Sequence, residues 1–287
     1  MPGKAADPDL TDPAVLRAVA RRAGLVAKHR LGQNFLVDRA LLDVIVGALE
    51  LRSDDDVLEI GPGVGTLTGE LASRARRVVA VDIDARCVAA TRATQQGRAN
   101  VEVVHADALR VDPPALGLNG AWVAAGNIPY SITTPLLTRL FALPRAPARG
   151  VFLVQREVAA RLAAVAGDWS LATVAVRSVA DVERLQDAPP SSFDPPPAVH
   201  SSVIRLRPAR AFDAATRAVV LDLARAAFQM RRKMLRHGIT HAAGGDEPRG
   251  AAWLAAAAID PQRRPGTLDL EDWRRLAVAT RTVGGEE

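Results

Sequence analysis

Cysteine is almost absent from this chain: Cys87 is the single example in 287 residues. A disulfide framework or a cysteine-rich zinc site within one chain is thereby excluded, which fits a reducing compartment. Aromatic residues are also scarce, at 4%, and Tyr130 is the one tyrosine. Any aromatic in a polar or Pro-rich loop therefore stands out as a candidate for ligand contact. No run of about 18 apolar residues is present to span a bilayer. The opening residues, Met1-Pro2-Gly3-Lys4, lack the apolar core of a signal peptide. His29 and His237 lack partners for a metal site. The expectation is a soluble, cytoplasmic protein with no metal and no membrane.

What is present suits a folded chain. Apolar residues make up 48%, enough for one sizeable core and a small second domain. The formal charge of +5 suits a polyanionic partner, because Lys and Arg gain affinity by releasing counterions from phosphates.

Residues 1–13 read as a tail rich in Pro, Asp and Ala, and helical patterns follow near 14–23 and 38–50. From Asp56 the pattern becomes strand, turn, helix, repeated. Strands are expected at 57–60, 77–81, 101–104, 122–125 and 151–154, with helices near 65–75, 85–96, 131–142 and 156–178. That alternation predicts a mostly parallel, doubly wound α/β sheet. Two last strands, near 181–186 and 199–207, flank the Pro-rich segment Ser192-Phe193-Asp194-Pro195-Pro196-Pro197. They are too close for a helical crossover, so this pair is expected to be antiparallel. Residues 212–281 read as four short helices broken at His237-Gly238, Gly244-Gly245 and Asp260-Pro261. The expected division is a tail and first helix at 1–27, a sheet domain at 28–208 and a helical domain at 209–287.

Glu59-Ile60-Gly61-Pro62-Gly63-Val64-Gly65 falls at a strand-to-helix turn. Gly61 and Gly63 let the backbone approach a ligand closely, and the helix start offers N–H groups. Asp82, at the end of the next strand, can accept hydrogen bonds from both hydroxyls of a ribose. Asp107, after the third strand, is placed to receive the exocyclic amine of an adenine. Each acid could equally serve as a helix cap or turn residue, with Asp84 the better cap candidate. Together they point to a cofactor containing adenosine, without separating a methyl donor from NAD.

Asn127-Ile128-Pro129-Tyr130 follows the fourth strand at its C-terminal end, where open α/β sheets place their active sites. The N6 lone pair of adenine is delocalised into the ring and is a poor nucleophile. The Asn127 side-chain carbonyl, with the backbone carbonyl of Ile128 or Pro129, could accept both N6 hydrogens and favour a pyramidal nitrogen. Pro129 stiffens the turn, and Tyr130 offers a face for a flipped base, worth roughly 1–3 kcal/mol. Phe193 is the candidate for the opposite face, the alternative being a hydrophobic plug under its loop. Arg231, Arg232 and Lys233, with Arg236, form a candidate phosphate-binding patch or else a solvated helix face.

These motifs resemble the KsgA/RsmA family of small-subunit rRNA adenine dimethyltransferases, from about residue 28 to 280. The likeness is carried by Leu31-Gly32-Gln33-Asn34-Phe35-Leu36, the bend at Gly61, Asn127-Ile128-Pro129-Tyr130, Gln155-Arg156-Glu157-Val158 and Phe193-Asp194-Pro195-Pro196-Pro197-Ala198-Val199-His200-Ser201. Phe228 to Arg236 and Ile259 to Pro265 continue it. The resemblance implies a Rossmann-like class I methyltransferase sheet, mostly parallel with an antiparallel terminal strand, and a small all-helical C-terminal domain. It implies S-adenosyl-L-methionine as cofactor, held by Asn34, Leu36, Gly61, Gly63, Asp82, Asp107 and Asn127. It implies dimethylation of N6 on two adjacent adenosines near the 3′ end of 16S rRNA in the small ribosomal subunit, with a role in subunit biogenesis, by a monomer. Macrolide-resistance 23S rRNA methyltransferases share several elements, and Ile128, where small-subunit enzymes usually carry Leu, leans toward them. A ribosome-assembly binding factor is a further alternative. Asp82 stands where the family usually has Glu, and Trp169-Ser170 where it has Tyr-Gly.

Overall fold

The computed structural model describes residues 8–25 and 34–283, apart from the side chain of Tyr130. The described strands are β1 (Phe35–Leu36), β2 (Asp56–Ile60), β3 (Arg77–Asp82), β4 (Val101–His105), β5 (Trp122–Asn127), β6 (Arg149–Gln155), β7 (Ala180–Ala188), β8 (Phe193–Asp194) and β9 (Ser201–Pro208). The described helices are α1 (Pro13–Arg22), α2 (Arg39–Ala48), α3 (Thr66–Ala72), α4 (Ala85–Thr94), α5 (Thr133–Ala142), α6 (Arg156–Leu162), α7 (Leu171–Arg177), α8 (Ala214–Gln229), α9 (Leu235–Ala242), α10 (Glu247–Ala256) and α11 (Leu270–Thr282).

Seven strands form one sheet in the order β4-β3-β2-β5-β6-β9-β7. β2, β3, β4, β5 and β6 pair in parallel, and β9 runs antiparallel to β6, lying between it and β7. The sheet is therefore mostly parallel with an antiparallel strand late in the sequence, a Rossmann-like fold. Every residue of β2 is buried, as expected for the centre of a sheet covered on both faces. Leu41, Leu42 and Ile45 of α2 and Leu71 of α3 pack with Val57, Val123 and Val151 of the sheet. Leu16 and Ala20 of α1 pack with Val64, Cys87 and Ala90.

One pairing was not foreseen in the sequence. β1 and β8 form a two-stranded antiparallel ladder, Phe35 opposite Asp194 and Leu36 opposite Phe193. The Ser192 carbonyl accepts from the Val37 N–H at 2.9 Å, and the Ser192 hydroxyl bonds Asp38 at 2.7 Å. Each segment is only two residues long, too short to show a period of two.

The chain divides into two compact units, one comprising the residues through Ala159 and Glu183–Arg207, the other Ala160–Val182 and everything from Pro208. The sequence reading kept residues 28–208 together. Trp169 and Val174 instead join the core of the second unit with Leu223, Trp253 and Trp273. The Trp169-Ser170 departure has a structural use. Trp169 is buried and its indole N–H donates to the Ala164 carbonyl at 3.0 Å, while Ser170 caps α7 in a capping box with Thr173. In the same unit, Arg263 pairs with Asp272 at 2.8 Å, and Arg275 pairs with it at 2.5 Å.

The helix break expected at His237-Gly238 is not found, because α9 runs straight through both residues. The chain breaks earlier, between Gln229 and Leu235, so Arg231, Arg232 and Lys233 lie in a turn rather than at a helix start. Gly238 serves helix packing. A Cβ there would stand 2.5 Å from the Ala227 Cα, so its absence lets α9 approach α8 closely. Gly238→Ala should therefore lower stability by roughly 1–3 kcal/mol through overpacking, although alanine favours helix by about 1 kcal/mol. Thermal unfolding checks this, and a raised midpoint would contradict the packing role.

Candidate active site

The parallel register of β2 and β5 sets Ile60 opposite Gly126 at the C-terminal ends of both strands. A Cβ on Gly126 would lie 2.2 Å from the Ile60 carbonyl oxygen, so only glycine allows this approach. The bend after β2 and the turn after β5 thus leave the sheet side by side. Gly61 and Gly63 have φ values of +71° and +63°. A Cβ on Gly61 would come within 3.1 Å of the Asn127 carbonyl, and one on Gly63 within 2.8 Å of the Phe35 ring. Over this bend opens a cavity of about 380 Å³, within the usual range for a small-molecule site. Asn34, Leu36, Gly61, Gly63, Asp82, Asp107, Asn127 and Pro129 all line it.

Asn127 ends β5, and its Nδ2 donates to the Asn34 backbone carbonyl at 2.8 Å. A carbonyl can only accept, so this bond fixes the amide with Oδ1 as the side-chain atom remaining to accept from something else. The Pro129 carbonyl accepts from the Ile132 N–H at 3.1 Å and lies 3.4 Å from the Thr133 hydroxyl. It is held inside the 3₁₀ turn Tyr130–Ile132.

Asp82 ends β3 with its carboxylate accepting from the N–H of Asp84 at 2.8 Å and from the N–H of Gly63. Burial raises its pKa despite those bonds. Asp84 caps α4 by accepting from the Arg86 N–H, so the cap role falls to it and not to Asp82. Asp107 accepts from the Leu109 N–H at 2.9 Å, a turn bond, while still facing the cavity.

Sequence reasoning did not single out Glu59. It sits in the buried strand just before the bend, is 1% exposed, and lines the cavity. Its Oε2 is buried without a hydrogen-bond partner among the described residues. Burial, with the neighbouring charge of Asp82, pushes its pKa up to about 8. The signal was an acid inside Asp56-Val57-Leu58-Glu59-Ile60, where a central strand otherwise carries apolar residues. Ile83 was also missed: it lines the cavity yet is 65% exposed, an apolar surface at a polar mouth.

One expected site residue, Phe193, lies apart from the cavity, and two further expectations fall outside the described side chains or in the helical unit. Phe193 is 3% exposed in the core with Leu36 and Leu41 and does not line the cavity. Pairing of β8 with β1 turns its ring inward, so in this structure it is the plug under its loop rather than a stacking face. The stacking role expected of Tyr130 falls on a side chain outside the described residues, as do Leu31, Gly32 and Gln33. Arg231, Arg232, Lys233 and Arg236 are exposed and belong to the helical unit. Among the described residues no cluster of His, Cys, Asp and Glu could hold a metal, and no helix is long and apolar enough to cross a membrane.

A carboxyl neutral in the fold but ionised when unfolded makes stability fall as pH rises. For Glu59 that window runs from its ordinary value of 4.5 to about 8, and the raised Asp82 acts in the same direction. Glu59→Gln should flatten the loss of stability between about pH 5 and pH 8, read by urea denaturation across that range. A slope equal to that of the wild type would place the titration elsewhere.

The family described as "Ribosomal RNA adenine dimethylase" matches residues 24–274. A protein of Pelotomaculum thermopropionicum named "Ribosomal RNA small subunit methyltransferase A" is 40% identical, the match covering 96% of this chain and 99% of that one. Among solved structures, a dimethyladenosine transferase from Plasmodium falciparum is 27% identical with a TM-score of 0.72, over 87% of this chain and 98% of that one. The 23S rRNA methyltransferase ErmE is 30% identical with a TM-score of 0.67, over 86% and 99%. By a match that spans most of its length, the chain belongs to the ribosomal RNA adenine dimethylase family.

Proposed function

We propose that this chain transfers methyl groups from S-adenosyl-L-methionine to N6 of two adjacent adenosines near the 3′ end of 16S rRNA, as part of small-subunit biogenesis in the cytoplasm. The observation that carries the reading is the Asn127 amide. It is held by the Asn34 carbonyl with Oδ1 as its acceptor, in the same cavity as the glycine bend.

The residues fit such a cofactor. Gly61 and Gly63 let the bend lie against the Asn127 carbonyl and the Phe35 ring, which line the same cavity. The Asp82 carboxylate suits a ribose, and Ile83 and Asp107 lie at the same cavity, suited to the face and the amine of an adenine. Glu59, with its unpartnered buried oxygen, suits a cationic group. When bound, S-adenosyl-L-methionine supplies a methyl group made electrophilic by the sulfonium that carries it.

The chain's own part is to make N6 a nucleophile. Asn127 Oδ1 accepts one N6 hydrogen. The backbone carbonyl of Ile128 or Pro129 is the acceptor for the other; Pro129 lines the cavity, and its carbonyl keeps a second lone pair beside the bond from Ile132. Two acceptors on one amino group draw its lone pair out of conjugation and aim it. Neither amide oxygen is a base at neutral pH, so the displaced proton leaves from a cationic product to water. Fixed dipoles aimed at developing charge need no reorganisation during the reaction.

For the substrate, the small-subunit name of the 40% identical relative supports the small subunit. Arg231, Arg232, Lys233 and Arg236 of the helical unit are exposed cations suited to rRNA phosphates. Ile128 favours the large-subunit reading, and the experiment is arranged to separate the two. Incubation with unmodified 30S and 50S subunits, followed by mass spectrometry of the digested RNA, should show dimethyladenosine in 16S rRNA alone. Asn127→Ala should lower that product by roughly 10²–10³-fold. Dimethyladenosine in 23S rRNA would transfer the reading to the large subunit, and full activity of Asn127→Ala would remove the amide from the chemistry.

A further inference from the structure

The bend that faces the cavity is also held from behind. Three side chains at the end of α4 reach the carbonyls of three successive bend residues. The Thr91 hydroxyl donates to Gly63 at 3.0 Å, the Thr94 hydroxyl to Val64 at 2.8 Å, and Gln95 Nε2 to Gly65 at 3.1 Å. Thr94 also lies 3.1 Å from the Thr91 carbonyl, so Val64 is the nearer of its two acceptors. Thr91 and Gln95 are buried, at 0% and 6% exposure, where a hydrogen bond is not exchanged for one to water.

The third glycine has its explanation here. Gly65 does not line the cavity. It has φ +93°, and a Cβ on it would stand 2.6 Å from the Thr94 hydroxyl and 2.8 Å from Gln95 Nε2. Glycine at this position admits the side chains of α4, whereas Gly61 and Gly63 admit the Asn127 carbonyl and the Phe35 ring on the cavity side.

In a trans peptide the carbonyl and the following N–H point in opposite directions. Holding the Gly63 and Gly65 carbonyls toward α4 therefore turns the N–H groups of Val64 and Thr66 away from it. On the cavity side, the Gly63 N–H donates to the Asp82 carboxylate, so the Gly63 residue is gripped from front and back. A segment with three glycines at positive φ has more conformations to lose than any other of its length. Whatever orders it before the ligand arrives removes that cost from binding.

We propose that Thr91, Thr94 and Gln95 are positioning residues that hold the glycine bend in its ligand-ready shape, so that affinity for the methyl donor is set from behind the bend as well as from the cavity. This rests on the cofactor reading above, and its test separates the two.

The test uses the full chain carrying Thr91→Val, Thr91→Ser and, as a more exposed second position, Thr94→Val. Amide hydrogen exchange of residues 63–66 without ligand should quicken in both valine variants and stay near the wild-type rate in Thr91→Ser. Calorimetric affinity for S-adenosylhomocysteine should weaken roughly tenfold in Thr91→Val, the worth of one buried hydrogen bond, and recover in Thr91→Ser. KM for the donor should rise by a larger factor than kcat falls. Wild-type exchange rates in the bend of both valine variants, with unchanged affinity, would overturn the proposal. Failure of the wild-type chain to bind S-adenosylhomocysteine while the bend still loosens in the variants would instead remove the cofactor reading and leave the clamp standing.

Discussion

The meeting of Ile60 and Gly126 across two parallel strands is the constraint on which the site depends. Strands paired in parallel end at the same edge of the sheet, so the loops that follow them begin together. Because Gly126 has no Cβ, the backbones come close enough for the Asn127 carbonyl to lie 3.1 Å from the position a Gly61 Cβ would occupy. A bend that can cradle a cofactor and a turn that can grip a base are thereby joined in one cavity, though 66 positions of chain separate Gly61 from Asn127. Both loops are placed by the register of the buried central strands, which runs from Asp56 opposite Trp122 to Ile60 opposite Gly126.

The polar groups of the site act in a buried setting. Asp82 and Glu59 line the cavity beside the bend, and burial raises the pKa of both. Desolvation penalises the charged form of both acids. The Asn127 amide meets the same condition through neutral dipoles, with Asn34 taking its donor and leaving its acceptor defined. Asn34 is itself set by β1, which is tied to β8 and to Ser192. The segment around Phe193 thus supports the Asn127 amide through backbone pairing, a position quite different from a stacking face.

The alternation of apolar runs with helical stretches made the parallel sheet legible, because central strands buried on both faces read as unbroken Val, Leu and Ala. Asn127, Gly61, Gly63, Asp82 and Asp107 were legible as cavity residues because each ends or follows a strand at the C-terminal edge of the sheet, where the loops of an open α/β fold gather. What escaped had physical causes. The β1–β8 ladder has two residues on each side, too few to carry a pattern. Phe193 stood out by its polar surroundings, yet the inward face of a strand is decided by its partner, which lies far away in sequence. Gly238 looked like a helix breaker, and only the proximity of α8 explains it. Residues 160–182 read as a continuation of the sheet domain, and only the identity of the core they join, through Trp169 and Val174, separates them from it. Glu59 and the α4 side chains behind the bend were visible as letters, but their meaning depends on burial and on direction.

The central claim is geometric, and a crystal structure of the chain with S-adenosylhomocysteine and a short adenosine-containing RNA tests it most directly. The target N6 should lie within hydrogen-bonding distance of Asn127 Oδ1 and of the Ile128 or Pro129 carbonyl, with the Asn127 Nδ2 still on Asn34 and the ligand sulfur over the glycine bend. An adenine bound elsewhere, or an Asn127 amide turned so that Nδ2 faces the base, would contradict it.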